Sequence, residues 1–164
     1  MSAIRPAARA DIPALAAIYN HYIRETPATF DIAEKDLDDR AAWFEGFSLT
    51  GPYRLFVADA AGEVLGYAYS GRFKERAAYA SSIETSIYLR PDATGKGVGS
   101  ALYTALFAAL AQQDVHRAYA GITLPNAASE AIHRRFGFRR IGIYGEVGRK
   151  FGKYWDVAWY ERAL

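Results

Sequence analysis

The chain has 164 residues, a length that suits one domain with a buried core. Half of the residues are hydrophobic and 23% are charged, a globular balance that excludes disorder, and a net charge of +2 makes no electrostatic case for nucleic acid. With no Cys and only three dispersed His, disulfides, thiolate catalysis and a spaced set of metal ligands are excluded, so no metal is expected. No apolar run reaches the roughly 20 residues of a membrane span. The N-terminus lacks a basic region followed by an apolar one, so the expected location is the cytoplasm.

Ile4-Arg5-Pro6 reads as a short edge strand. Asp11 stands before Ile12-Pro13, as an N-cap followed by a first-turn proline. Ile12, Leu15, Ile18, Tyr19, Tyr22 and Ile23 recur at helical spacing, so residues 12–24 form an amphipathic helix. Residues 28–35 have no period and read as loop. Residues 36–46 read as a second helix, with Leu37, Ala41 and Phe44 on one side. Residues 54–60 and 63–73 are two strands joined around Ala61-Gly62, and residues 77–82 are a linker.

The most informative stretch follows. Ile83, Thr85, Ile87 and Leu89 alternate with Glu84, Ser86 and Tyr88, as a two-faced strand requires. Pro91 and Asp92 stop it. Gly95, Gly97 and Gly99 then alternate with Lys96 and Val98, and an apolar helix runs from Ser100 to about residue 113. Unpaired N–H groups at a helix start make a ready anion site, so this turn is a candidate pyrophosphate cradle. It ends in neither the Gly-Lys-Ser/Thr of a P-loop nor the spacing of a dinucleotide fingerprint. Residues 116–123 read as a buried strand. Asn126 caps a helix over 127–136 that Gly137 closes. Residues 138–147 and 154–162 are the last strands, with 148–153 as the connection between them. The order β, α, α, β, β, β, α, β, α, β, β describes one α/β (α+β) domain, residues 1–164, on a mixed sheet.

Glu84 is the strongest candidate base. A carboxylate inside a strand is unusual, and desolvation there raises its pKa toward the useful range. The plainer reading is a solvent-facing or salt-bridged Glu. Tyr88 shares its face and either assists or packs. Lys74 and Arg76 offer either an acceptor-carboxylate site or a solvated basic loop. Tyr144, Phe151, Tyr154 and Trp155 make an aromatic C-terminal hairpin that either closes over a ligand or forms a dimer contact.

Thr94-Gly95-Lys96-Gly97-Val98-Gly99, together with Asn126 and the Phe136-Gly137-Phe138 ending of its helix, resembles the paired motifs of the GCN5-related N-acetyltransferase (GNAT) family. Thr94 departs from that family's Gln or Arg, which leaves one side-chain contact open but not the backbone cradle. Phe73–Tyr79, Glu84–Leu89, Gly97–Tyr103, Leu124-Pro125-Asn126 and Val147–Lys153 are similar to the phosphinothricin and methionine sulfone/sulfoximine acetyltransferase branch. The resemblance implies a central, mostly antiparallel twisted sheet flanked by about four helices, and a homodimer. It implies acetyl-CoA as the acetyl donor and the α-amino group of a small amino acid analogue as acceptor. On this chain the cofactor site falls on Ile87, Tyr88, Leu89, Gly95, Lys96, Gly97, Val98, Gly99, Ser100 and Asn126. The acceptor site falls on Lys74, Glu75, Arg76, Glu84, Thr85 and Ser86. Where many of these enzymes carry a tyrosine acid, seven residues after the Asn, this chain has His133. That imidazole is either the acid or a packed helix-surface residue. A peptide N-acetyltransferase and a non-catalytic acyl-CoA sensor are the alternatives.

Overall fold

The computed structural model describes every residue, Met1–Leu164. Seven strands form one sheet: β1 (Ala3–Pro6), β2 (Leu55–Ala60), β3 (Glu63–Arg72), β4 (Ser82–Leu89), β5 (Arg117–Thr123), β6 (Arg139–Lys150) and β7 (Lys153–Ala163). Four helices join them: α1 (Ile12–Glu25), α2 (Leu37–Phe44), α3 (Val98–Leu110) and α4 (Ala127–Arg135). The strand order is β1-β2-β3-β4-β5-β7-β6, and only β4 and β5 run parallel. The expected mixed, mostly antiparallel sheet with four helices is therefore the fold observed.

Alternation along the strands produces two faces, and each buries a different helix pair. Ala68, Ile83, Ala118, Ala120, Ile122 and Ala158 face α3, whose Leu102, Tyr103, Leu106 and Leu110 are fully buried against them. Leu55, Val57 and Tyr67 face the other way and pack against Leu15 and Ile18 of α1. α1 starts where expected, but Asp11 does not cap it. Its carboxylate turns back to Arg5, at 2.8 and 2.9 Å, and to the Ala8 N–H at 2.7 Å. The nearby guanidinium offers a charge-assisted pair, which outcompetes a neutral cap.

The C-terminal region departs from expectation more. Residues 148–153 are not an open connection. Both strands extend through them and close on Phe151-Gly152, at φ 55° and 74°. Two successive positive φ values make the tight mirror-image turn whose twist matches a hairpin. The Gly-rich, Lys-rich composition disguised a strand. Residues 77–79 add a single 3-10 turn within the linker.

Candidate active site

β4 and β5 pair only from Ser82 to Glu84, opposite Arg117 to Tyr119. Beyond that point the strands diverge and open a cleft of about 710 Å³. The Arg90 N–H donates to the Leu65 carbonyl. Alternation along the regular β3–β4 ladder then turns the backbone groups of Ser86 and Tyr88 toward β3, and those of Ile87 and Leu89 toward the cleft. Ile87 and Leu89 thus present unpaired main chain to anything that binds as an added strand. Tyr88 does not, which corrects the expectation that all three would. The Leu89 carbonyl is already taken by the Tyr22 hydroxyl at 2.6 Å, leaving its N–H.

The glycine turn closes one end of the cleft. Gly97 is the N-cap of α3 at φ 79°, a conformation that a side chain would strain, and this aims the first N–H groups of α3 outward. Gly99 lets α4 approach closely: a Cβ there would sit 3.0 Å from Ile132. Gly95, Gly97, Gly99 and Ser100 line the cleft. Lys96 is exposed outside it, and the Val98 side chain is buried in the core. Asn126 also lines it. Its carboxamide oxygen caps α4 by accepting the Ser129 N–H at 3.1 Å, so only its NH2 group is free.

Glu84 lies at the apex of the divergence, on the α1 face. It makes no hydrogen bond or ion pair, and burial raises its pKa above the ordinary carboxylate range. Its cross-strand neighbours are Gly71 on β3 and Tyr119 on β5. Two aromatic clusters lie on its face of the sheet, one at Tyr88, four residues along β4, and one at its β5 neighbour Tyr119. Tyr19, Tyr22 and Tyr67 pack about Tyr88 with centroids 5.1–5.5 Å apart, so the Tyr88 ring belongs to this cluster. On the other side Phe73 stacks on Tyr119 at 4.3 Å, with Trp159 edge-on to Phe73 at 6.3 Å and lying against Gly121. Ser86 shares the Glu84 face.

Four expected residues sit elsewhere. Thr85 points to the opposite face and is 3% exposed. Its hydroxyl, near Tyr103, has no hydrogen-bond partner. It is a cleft residue and not an acceptor-face residue, because neighbouring strand positions point oppositely. Lys74, Glu75 and Arg76 form an exposed loop. Glu75 pairs with Arg72 at 3.0 Å, and Lys74 lies over the Phe73 and Tyr79 rings. The loop leaves β3 beside Glu84, but none of the three lines the cleft.

His133 is not on the helix surface. It is 3% exposed, and burial lowers its pKa. Nδ1 is 2.7 Å from the Ser129 carbonyl, which can only accept, so Nδ1 carries the proton. Nε2 then accepts from the Tyr103 hydroxyl at 2.9 Å. A neutral imidazole bonded in this way can take up a proton through Tyr103. It has no free N–H to give, and the acid reading of His133 is withdrawn on that ground.

Sequence reasoning did not single out Tyr22, Tyr103, Tyr119 or Arg135. The first three look like core aromatics at their spacings, and only the β4–β5 register and the α3–α4 packing bring them to the site. No group of three His, Cys, Asp or Glu side chains is placed to hold a metal ion.

Comparison with known proteins agrees with this geometry. Residues 4–159 match the model of the acetyltransferase (GNAT) domain. The chain is 54% identical over 163 residues to phosphinothricin N-acetyltransferase of Streptomyces coelicolor, covering 98% of this chain and 95% of that protein. It is 39% identical to the L-methionine sulfoximine/L-methionine sulfone acetyltransferase of Pseudomonas aeruginosa, covering 99% and 95%. A Sinorhizobium meliloti phosphinothricin acetyltransferase, solved in complex with AcCoA, superposes with a TM-score of 0.94 at 33% identity, over 99% of this chain and 88% of that one.

Proposed function

The chain belongs to the GNAT acetyltransferase family, and we propose that it transfers an acetyl group from acetyl-CoA to the α-amino group of a small amino acid analogue of the phosphinothricin, methionine sulfone or methionine sulfoximine type. The observation that carries this reading is Glu84, an unpaired, desolvated carboxylate on the last β4–β5 pair, directly before the strands diverge and next to the cleft residue Thr85.

The cleft fits the cofactor. It offers the unpaired main chain of Ile87, the Leu89 N–H, the Asn126 NH2 group and the outward N–H groups at the Gly97 turn. When bound, acetyl-CoA supplies the acetyl group as an activated thioester. The chain supplies the rest. A free α-amino group is largely protonated at neutral pH, and Glu84 takes that proton directly or through one water. The Ile87 and Leu89 N–H groups, fixed in the strand, donate to oxygen atoms in the cleft without reorganisation. Burial limits water at Glu84, and the Phe73–Tyr119 stack beside it offers an apolar surface for the acceptor's carbon chain. A thiol is acidic enough to leave as thiolate, so the withdrawn acid role of His133 needs no replacement side chain. With no Cys, transfer is direct within a ternary complex.

Free-thiol release tests this reading, with acetyl-CoA and a panel led by methionine sulfone, methionine sulfoximine and phosphinothricin. Release dependent on one of these amines is the expected result. Acetylation of peptides alone would move the assignment to a peptide acetyltransferase. CoA binding without release from any amine would make the chain a sensor.

A further inference from the structure

We infer that Arg135, from α4, is the side-chain contact to the pyrophosphate of acetyl-CoA that Thr94 does not make, an assignment that rests on the acetyl-CoA reading of the cleft. Thr94 stands where the motif that this chain resembles has Gln or Arg. Its hydroxyl is turned back on its own turn and donates to the Pro91 carbonyl at 2.9 Å. Position 94 therefore offers the cleft neither a charge nor a free donor.

The missing cation enters from a different helix. Among the residues lining the cleft, Arg135 is the only charged one. Its guanidinium donates to the Ser100 hydroxyl at 3.0 Å, in the first turn of α3, where the N–H groups of the glycine turn converge. The route is set by packing. Gly99 has no side chain, so Ile132 of α4 seats directly against it. Arg135 lies three residues further along the same helix and on the same side, one turn on, which carries it over Ser100. Its neighbours have other work. Arg134 bonds Glu130 and Tyr160, and Arg140 bonds Glu130. Arg90 is taken by Asp92 and Glu63. Arg135 is exposed, makes no ion pair and keeps donors in reserve. A planar, permanently charged fork beside helix-start N–H groups is suited to a phosphate oxygen.

Calorimetric titration of the full chain with CoA, without an acceptor, decides the point whether or not any amine in the panel is acetylated. Arg135→Ala should weaken CoA about tenfold, the scale of a lost charge-assisted bond. It should weaken 3′-dephospho-CoA by the same factor, because the contact is to the pyrophosphate. Binding of pantetheine, which has no phosphate, should be equal in the two proteins. Adding Thr94→Arg to Arg135→Ala should recover most of the affinity by supplying the cation from the motif side. Unchanged CoA affinity overturns the inference. So does a loss that disappears with 3′-dephospho-CoA, which would place the contact on the 3′-phosphate. An equal loss with pantetheine would show a structural effect and overturn it too.

Discussion

Glu84 carries the chemistry because it is badly solvated, and the same fact makes it a cost to the fold. Its folded pKa lies above that of an exposed carboxylate, because burial disfavours the charge and no partner offsets it. Two outcomes follow, with opposite signs. As the base, Glu84 must be ionised, so kcat/KM should fall as pH drops through the raised pKa. Glu84→Gln should lower kcat by about 100-fold or more and abolish that acid limb. For stability, the raised pKa favours the protonated folded state, so its contribution is present at low pH and lost as pH rises through the folded value. Glu84→Gln should therefore melt higher than the wild type at neutral pH. The two should melt alike near pH 4, and melting temperature against pH is the measurement. Tyr103 provides the contrast. Tyr103→Phe removes the donor to His133 Nε2 and should cost about 1 kcal/mol, or roughly 2–4 °C in melting temperature. The acid limb should stay in place. An acid limb lost in Tyr103→Phe but kept in Glu84→Gln would transfer the base role from Glu84 to the His133–Tyr103 pair.

At the scale of elements, two segments hold each other beside the Tyr19–Tyr88 cluster. The loop after α1 and the β6–β7 hairpin are far apart in sequence. Lys150 is nevertheless buried, and its ammonium donates to the Thr29 carbonyl at 2.8 Å. Burial lowers its pKa, with Asp31 acting in the other direction. Tyr19 ties the loop from the helix side through Thr29 Oγ1 at 2.8 Å and Asp31 at 2.5 Å. The Phe30 ring lies directly on Gly148, where any Cβ would collide with it. Lys150→Met and Gly148→Ala should therefore release the same loop, one by cutting the tie and the other by displacing the ring. Each should raise the acceptor KM more than the acetyl-CoA KM, because Ala28 alone carries this loop into the cofactor cleft. Initial rates with each substrate varied in turn check this, and a matching rise in the acetyl-CoA KM would count against it. None of this clasp was legible in the sequence. Residues 28–35 read as featureless loop and 148–153 as a connection, because the ordering contacts are non-local. The elements with strong local periods, α1, α3 and β2 to β5, were legible, as were the caps at Asn126 and Gly137.

At the scale of the molecule, the motif residues that hold a cofactor were readable because they act through local backbone shape. The Gly97 turn needs the positive φ that glycine adopts without strain, and alternation alone assigns Glu84 to a face. What the sequence could not show was partnership across elements: Tyr103 with His133, Arg135 with Ser100, Phe30 with Gly148. The same distinction applies to the outer surface. β6 is the last strand of the sheet and carries its unpaired edge. This strand, its turn and the start of β7 expose Ile141, Ile143, Tyr144, Val147, Phe151 and Tyr154, each between 45% and 59% accessible. An uncovered strand edge carrying several exposed large apolar side chains is what a monomer avoids. No helix lies over this edge, and no helix of the chain is long and apolar enough to cross a membrane. The homodimer expected from the family resemblance would cover it with a second copy. The chain should then sediment at about twice 18.1 kDa. Ile143→Lys, which puts a charge among these side chains, should sediment as the 18.1 kDa monomer with its fold intact by circular dichroism. A wild-type chain that is monomeric at micromolar concentration would remove the dimer and leave the edge as exposed surface.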